Sequence, residues 1–275
     1  MSALMNCKTG LNSIFDEKKI VEVAKAGIEV IEYDSAWNDE DCDIDYSKIQ
    51  KQAENCGIYM QSIHLAMGER MDLSHKINSA RTLDVMKKQI LKASNAGVKY
   101  AVLHLSSEPI LDGEREDRLN RAIENAINLL DYADGCGVEL CVEDLPRTCL
   151  CNSVREIKRV LSADDRFKVC FDVNHLFKDS HKDFINAFSD KIVTTHISDY
   201  NFLDDCHFIP GDGKINWLEL KELFESINYS GAFLYECNVL TRKFGCGALP
   251  YSAYKTIHEN ISNGVNPLLN LDNTK

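Results

Sequence analysis

Apolar residues along the chain follow two patterns that take turns. Short, nearly continuous runs such as Ala101-Val102-Leu103 and Val169-Cys170-Phe171 fit strands buried on both faces, and the alternation of a half-exposed sheet is mostly absent. Between these runs lie longer segments with apolar residues near i, i+3 and i+4 spacing. One spans 77–96, with Leu83, Met86, Ile90, Leu91 and Ala93 on one side. Another spans 115–136, where Leu119, Ala122, Ile123, Ala126, Ile127, Leu129, Leu130 and Ala133 make a stripe that reads as core packing.

Glycine punctuates the change from one pattern to the other. Ala26-Gly27-Ile28, Cys56-Gly57-Ile58, Ala96-Gly97-Val98, Cys136-Gly137-Val138 and Ser230-Gly231-Ala232 each set a glycine after a helical segment and before an apolar run, where a left-handed residue ends a helix. Four of these lie about 30 to 40 residues apart, the length of a strand plus a crossover helix. Strands are expected at 28–33, 59–64, 100–105, 139–143, 168–171, 192–196 and 232–236, with a weaker first one near 5–9. Eight strands alternating with helices, with no linker rich in Pro, Gly or Ser, predict an α/β chain folded as a single (β/α)8 TIM barrel over residues 1–275. No Gly-x-Gly-x-x-Gly turn follows the first strand and no Gly-x4-Gly-Lys-Ser/Thr loop is present, which argues against a nucleotide-binding open sheet.

Composition narrows the setting. The chain carries 43 acidic against 31 basic residues, a formal net charge of -12, which disfavours nucleic acid and anionic lipid as partners. No run approaches the ~20 apolar residues of a membrane helix and no leader is read, so a cytoplasmic protein without membrane contact is expected; homo-oligomerisation is left open. Eleven cysteines, an odd number, read as reduced thiols, and Cys149 and Cys151 lack the second close pair of a structural zinc site.

The chemistry concentrates where the expected strands end. His64, His104, Glu143, Asp172, His196 and Glu236 close six of them, and in a closed parallel barrel those ends share one mouth. Carboxylate and imidazole donors suit a divalent ion such as Mn, Mg, Co or Zn.

Around these positions the sequence reads Ser62-Ile-His64, Leu103-His104-Leu105, Val142-Glu143-Asp144-Leu-Pro-Arg147, Phe171-Asp172-Val-Asn-His175, His196-Ile-Ser-Asp199-Tyr, His207-Phe-Ile-Pro-Gly211-Asp-Gly213 and Tyr235-Glu236-Cys. Together these resemble the xylose isomerase-like barrel superfamily, in particular its sugar phosphate isomerase/epimerase branch. The resemblance implies a metal held by Glu143, Asp172, His196 and Glu236, with His175 on the substrate. It implies a small-molecule sugar or sugar phosphate as partner. The expected chemistry is proton abstraction next to a carbonyl through a metal-stabilised enediolate, with Glu143 and Glu236 as the acid–base pair.

The related apurinic endonucleases offer an alternative. His64, His104, Glu143, Asp172, His175, His196, Asp205, His207 and Glu236 resemble their nine-ligand, three-zinc site, with Asp205 and His207 as extra metal ligands. Under the sugar reading, His64, His104 and His207 face the substrate instead. A sugar lyase or dehydratase on the same fold is a third possibility.

Other positions carry weaker expectations. Glu32 meets a sugar hydroxyl, is solvated or supports a ligand from behind, and Asp199 orients His196 or its neighbours. Arg147 anchors a phosphate or carboxylate, or closes a loop salt bridge. Asn216 caps a helix that begins at Trp217. The acidic segment 38–45 reads as a solvated loop at the rim.

Overall fold

A computed structural model describes residues 3–35, 43–237 and 249–271. Eight strands, β1 (Thr9–Ser13), β2 (Val30–Asp34), β3 (Tyr59–His64), β4 (Tyr100–Leu103), β5 (Glu139–Glu143), β6 (Lys168–Asp172), β7 (Ile192–Ile197) and β8 (Phe233–Tyr235), pair in parallel and in chain order. The barrel closes through β1 against β8, with Leu11 opposite Tyr235. Around it run α1 (Glu17–Lys25), α2 (Tyr46–Asn55), α3 (Ser79–Asn95), α4 (Asp112–Gly135), α5 (Val154–Ala163), α6 (His181–Phe188), α7 (Trp217–Ser226) and α8 (Ser252–Ser262). Most of residues 38–45, the acidic segment, lies outside the described residues. Among the described residues no helix is long and apolar enough to cross a membrane.

Four of the expected helix ends share one geometry. After α1, α2, α3 and α4 the glycine takes a φ between 71° and 84°. The amide one residue later then bonds back to a carbonyl in the last turn: Ile28 to Val23, Ile58 to Ala53, Val98 to Ala93, Val138 to Ala133. Gly231 differs. The left-handed residue after α7 is Asn228 (φ 52°), and Gly231 is small because an added Cβ would collide with the Tyr229 hydroxyl and the Val193 carbonyl.

The first strand is also displaced from its expected place. Residues Ala3–Asn6 form a 3-10 turn rather than a strand, and the barrel begins at Thr9. Apolar Leu4 and Cys7 are spent in packing this turn, which sits against α7 and α8. The strand itself, Thr-Gly-Leu-Asn-Ser, shows little hydrophobic signal because its inward position is a glycine. Gly10 sits between Leu234 and Val30 of the two flanking strands, where a Cβ would come within 2.5 Å of a Leu234 methyl and 2.8 Å of one on Val30.

Two packings divide the apolar residues. Most pack between strands and helices, while Val30, Ala232 and Leu234, and separately Val102, Cys141 and Cys170, fill the barrel interior. The described cysteines are free thiols, and Cys149 and Cys151 are both buried.

Gly10→Ala is therefore expected to cost about 1–3 kcal/mol through overpacking. Gly135→Ala, in α4 with open space around it, is expected to stabilise by about 0.5–1 kcal/mol. Urea midpoints at unchanged m-value measure both, and an unshifted midpoint for Gly10→Ala would contradict the interior packing described.

Candidate metal centre

Inward positions two residues apart step from apolar filling to side chains able to ligate a metal. Cys141 is followed by Glu143, Cys170 by Asp172, Leu234 by Glu236 and Val102 by His104, because side chains in a strand return to the same face every second residue. The last inward position of each strand opens on the mouth. His104 and Glu236 lie just past the ends of β4 and β8.

Four of these donors meet closely. His196 Nδ1 lies 3.1 Å from Glu143 Oε1, 2.9 Å from Glu236 Oε2 and 3.9 Å from Asp172 Oδ2. One donor atom from each of the four residues falls within 4.8 Å of every other. Asp172 uses Oδ1 to accept the Asn174 amide at 2.7 Å, which leaves Oδ2 buried without a hydrogen-bond partner. Three buried or half-buried carboxylates sharing one imidazole, with an orphaned oxygen among them, fit a divalent cation.

The electrostatics match that crowding. Burial would push the Glu143 carboxyl up, but His196 and His104 hold it well below the usual range. Asp172 is raised to about 6 by burial, which its histidine neighbours only partly offset. Burial opposes a charged His196, yet Cys170, Glu236, Glu143 and Glu32 together raise its pKa.

Two further groups adjoin the first. His64 Nε2 and His104 Nε2 lie 3.3 and 3.0 Å from Glu143 Oε2. His207 Nε2 lies 3.0 Å from Asp205 Oδ1, and His175 Nε2 lies 3.6 Å from both Asp205 Oδ1 and Asp172 Oδ2. In three of these histidines Nδ1 donates to a backbone carbonyl: His64 to Leu65, His175 to Asp144 and His207 to Glu236, at 2.8–2.9 Å. A carbonyl only accepts, so Nδ1 carries the proton and Nε2 faces the mouth.

Asp205 and His207 arrive on a loop that Asp199 organises. Asp199 is fully buried; its Oδ1 accepts the Tyr200 and Ile215 amides, and its Oδ2 accepts the Gly211 amide and the Trp217 indole, at 2.8–3.0 Å. Its backbone also bridges Phe208. Of the two expectations, His196 or its neighbours, Asp199 meets the second: it orders the loop from 199 to 217 that carries Asp205 and His207. The partner of His196 is Glu32, whose Oε1 lies 2.7 Å from Nε2. Asn174 was not singled out beforehand. It donates to Asp205 Oδ1 at 2.5 Å and accepts the Cys206 and His207 amides, and its place two residues past Asp172 was the available signal.

Arg147 stands at the rim with its guanidinium engaged by Glu108, Asp204 and Asp205 at 2.6, 2.9 and 3.5 Å. Asn216 accepts the Glu219 amide and so caps α7 ahead of Trp217. The mouth opens into a cavity of about 720 Å³ lined by His64, His104, Glu143, His175, His207 and Glu236 among others.

The profile of a family described as the xylose isomerase-like TIM barrel matches residues 20–245. The chain belongs to that family. Among curated relatives, a D-psicose 3-epimerase of Agrobacterium fabrum is 25% identical over 239 residues, covering 81% of this chain and 79% of its own length. An uncharacterized protein of Methanocaldococcus jannaschii is 26% identical over 147 residues, 54% of this chain, and the match spans 58% of that protein. In solved structures this xylose isomerase-like barrel superposes on a D-tagatose 3-epimerase-like protein with a TM-score of 0.77 at 16% identity, covering 94% and 98% of the two chains. A 3-keto-D-glucoside 4-epimerase of E. coli gives 0.73 at 15% identity, covering 94% and 98%.

Two outcomes are expected of this xylose isomerase-like centre. A divalent cation such as Mn2+ at 100 times its Kd should raise the unfolding free energy by about 2.7 kcal/mol, seen as a higher Tm, and Asp172→Asn should abolish the rise. An equal rise in Asp172→Asn would remove that residue from the ligand set. Asp199→Asn, which turns a donor toward amides that need an acceptor, should cost about 1.5–3 kcal/mol in denaturant titration, and a neutral result would contradict the loop's anchoring.

Proposed function

We propose that the chain is a metal-dependent sugar epimerase that moves a proton at a carbon next to a carbonyl. The observation that carries this reading is the group Glu143, Asp172, His196 and Glu236, whose donor atoms lie within 4.8 Å of one another beneath a cavity with ample room for a sugar. Similarity to the D-psicose 3-epimerases supports it.

The two glutamates suit epimerisation. They come from opposite edges of the cluster, one ending β5 and one following β8, and both reach His196 Nδ1. A carbon held between them meets a carboxylate on each face, so one can take its proton and the other return one from the opposite side. The histidines hold both carboxyls down, so the one that abstracts is ready as a base, and the one that returns a proton must first take it up from solvent or a neighbouring imidazolium. His196 and His104 overcome burial at Glu143, and at Glu236 His196 and His207 overcome burial to bring the carboxyl to about 2. A divalent ion held by the four residues, Mn, Mg, Co or Zn, supplies Lewis-acid polarisation of the substrate carbonyl and its adjacent hydroxyl. His64, His175 and His207, each locked through Nδ1, turn Nε2 toward sugar hydroxyls.

The cavity walls favour an unphosphorylated substrate. Among the described lining residues Asp34, Glu108, Glu143, Asp205 and Glu236 are acidic, and the one guanidinium, Arg147, already has its fork on three carboxylates. A phosphate would meet repulsion from these five carboxylates.

A second reading, a three-zinc apurinic endonuclease, draws on one observation. All nine expected donors lie in adjoining groups: His64, His104 and Glu143; Glu143, Asp172, His196 and Glu236; and Asp172, His175 and His207 with Asp205 beside them. The acidic wall and the net charge of -12 count against a DNA partner.

In D2O, the Mn2+-loaded protein is expected to incorporate deuterium next to the carbonyl of D-fructose, D-psicose or D-tagatose. Glu143→Gln and Glu236→Gln should each lower the rate by about 10²-fold or more. Unimpaired exchange in both variants would sink the mechanism. Three zinc ions per chain together with cleavage of abasic DNA would replace it with the nuclease.

A further inference from the structure

His196 is mounted the opposite way from its neighbours. His64, His175 and His207 fix Nδ1 on backbone carbonyls and offer Nε2, whereas His196 turns Nε2 away, 2.7 Å from Glu32 Oε1, and offers Nδ1 to Glu143 and Glu236. We propose that Glu32 is a positioning residue that holds His196 as its Nε2–H tautomer and so aims the Nδ1 lone pair at the candidate metal. This rests on the metal-dependent reading above and extends it to a residue outside the ligand set.

The geometry gives Glu32 the means. It is fully buried on β2, at an inward position, and so lies inside the barrel behind the ligand rather than at the mouth. Asn12, its register partner on β1, donates Nδ2–H to the same Oε1 at 2.7 Å and fixes the carboxylate. His196 Nε2 and Asn12 Nδ2 thus converge on one oxygen, while Oε2 is buried without a hydrogen-bond partner. A neutral imidazole carries one N–H. Carboxylates flank both ring nitrogens, so with a cation among Glu143, Asp172 and Glu236 to displace the Nδ1 proton, Glu32 would keep the remaining one on Nε2 and its negative charge would make the Nδ1 lone pair more basic.

A purely structural role would be different: Glu32 would tie β2 to β7 across the interior, and its loss would lower stability without altering how a cation binds. Glu32→Gln separates the two. Its amide keeps the size of the side chain, removes the charge, and can donate to Nε2 and so admit the wrong tautomer. Mn2+ titration calorimetry on chelator-stripped protein is expected to give a Kd weakened by about 10–100-fold in Glu32→Gln. Co2+ loaded in place of Mn2+ should show a shifted visible absorption band. The wild-type Kd in a folded Glu32→Gln protein overturns the proposal and leaves the metal reading intact, whereas no binding by the wild type overturns the metal reading and the proposal with it. Should the variant not fold, ¹⁵N-histidine spectra of the Zn2+-loaded wild type decide the matter: a protonated Nε2 on His196 supports the assignment, and a protonated Nδ1 overturns it.

Discussion

The pleat of eight parallel strands is the constraint from which the rest of the molecule follows. Each strand returns a side chain to the barrel interior every second residue, and closure points all the upper ends at one opening. An interior filled by Val102, Cys141, Cys170 and Leu234 must therefore be succeeded, two residues on, by whatever faces the mouth. In this chain that next layer is His104, Glu143, Asp172 and Glu236. Chain positions nearly a hundred residues apart become neighbours without any local motif joining them.

That layer is electrostatically unbalanced, and the surroundings are arranged to contain it. The Asn174 amide holds one oxygen of Asp172, backbone carbonyls fix the tautomers of His64, His175 and His207, and Glu32 backs His196. Asp199 performs the same service for a whole loop by gathering four N–H donors onto one buried carboxylate, so the loop bearing Asp205 and His207 does not rely on apolar packing alone. The framework fixes donor directions first, and the cavity above inherits its lining from them.

The barrel and its rim were legible in sequence because both rest on local signals: continuous apolar runs for buried strands, helical spacing for the outer layer, a glycine after each of four helices. Where a position's role depends on a distant partner, the sequence was a poorer guide. Thr9–Ser13 lacks an apolar run because Gly10 makes room for Leu234, a residue more than two hundred positions away. For Asp199 the sequence left open His196 or its neighbours, and its partners prove to be the N–H groups of 200, 211, 215 and 217. Glu32 was visible as a carboxylate ending a strand, but choosing between substrate and His196 required the register of β2 around the barrel. Arg147 offered two readings from sequence, and its engagement depends on Glu108, Asp204 and Asp205 from two other loops.

The balance of charge also orders the donor groups among themselves. Asp205 faces two imidazoles, His175 and His207, and takes a further hydrogen bond from Asn174, so its charge is met within the protein. Glu143, Asp172 and Glu236 converge on His196, which is itself shared with Glu32, and Asp172 Oδ2 has no hydrogen-bond partner at all. His64 and His104 also meet Glu143, so the deficit is greatest at Asp172, whose burial is only partly offset, and a divalent cation would offset it most there. The same reasoning gives the Asp205 group little to gain from a cation, since its imidazoles would first have to release the carboxylate they already hold. On these grounds the Glu143–Asp172–His196–Glu236 group would fill first, and the Asp205 group would keep its own ion pairs.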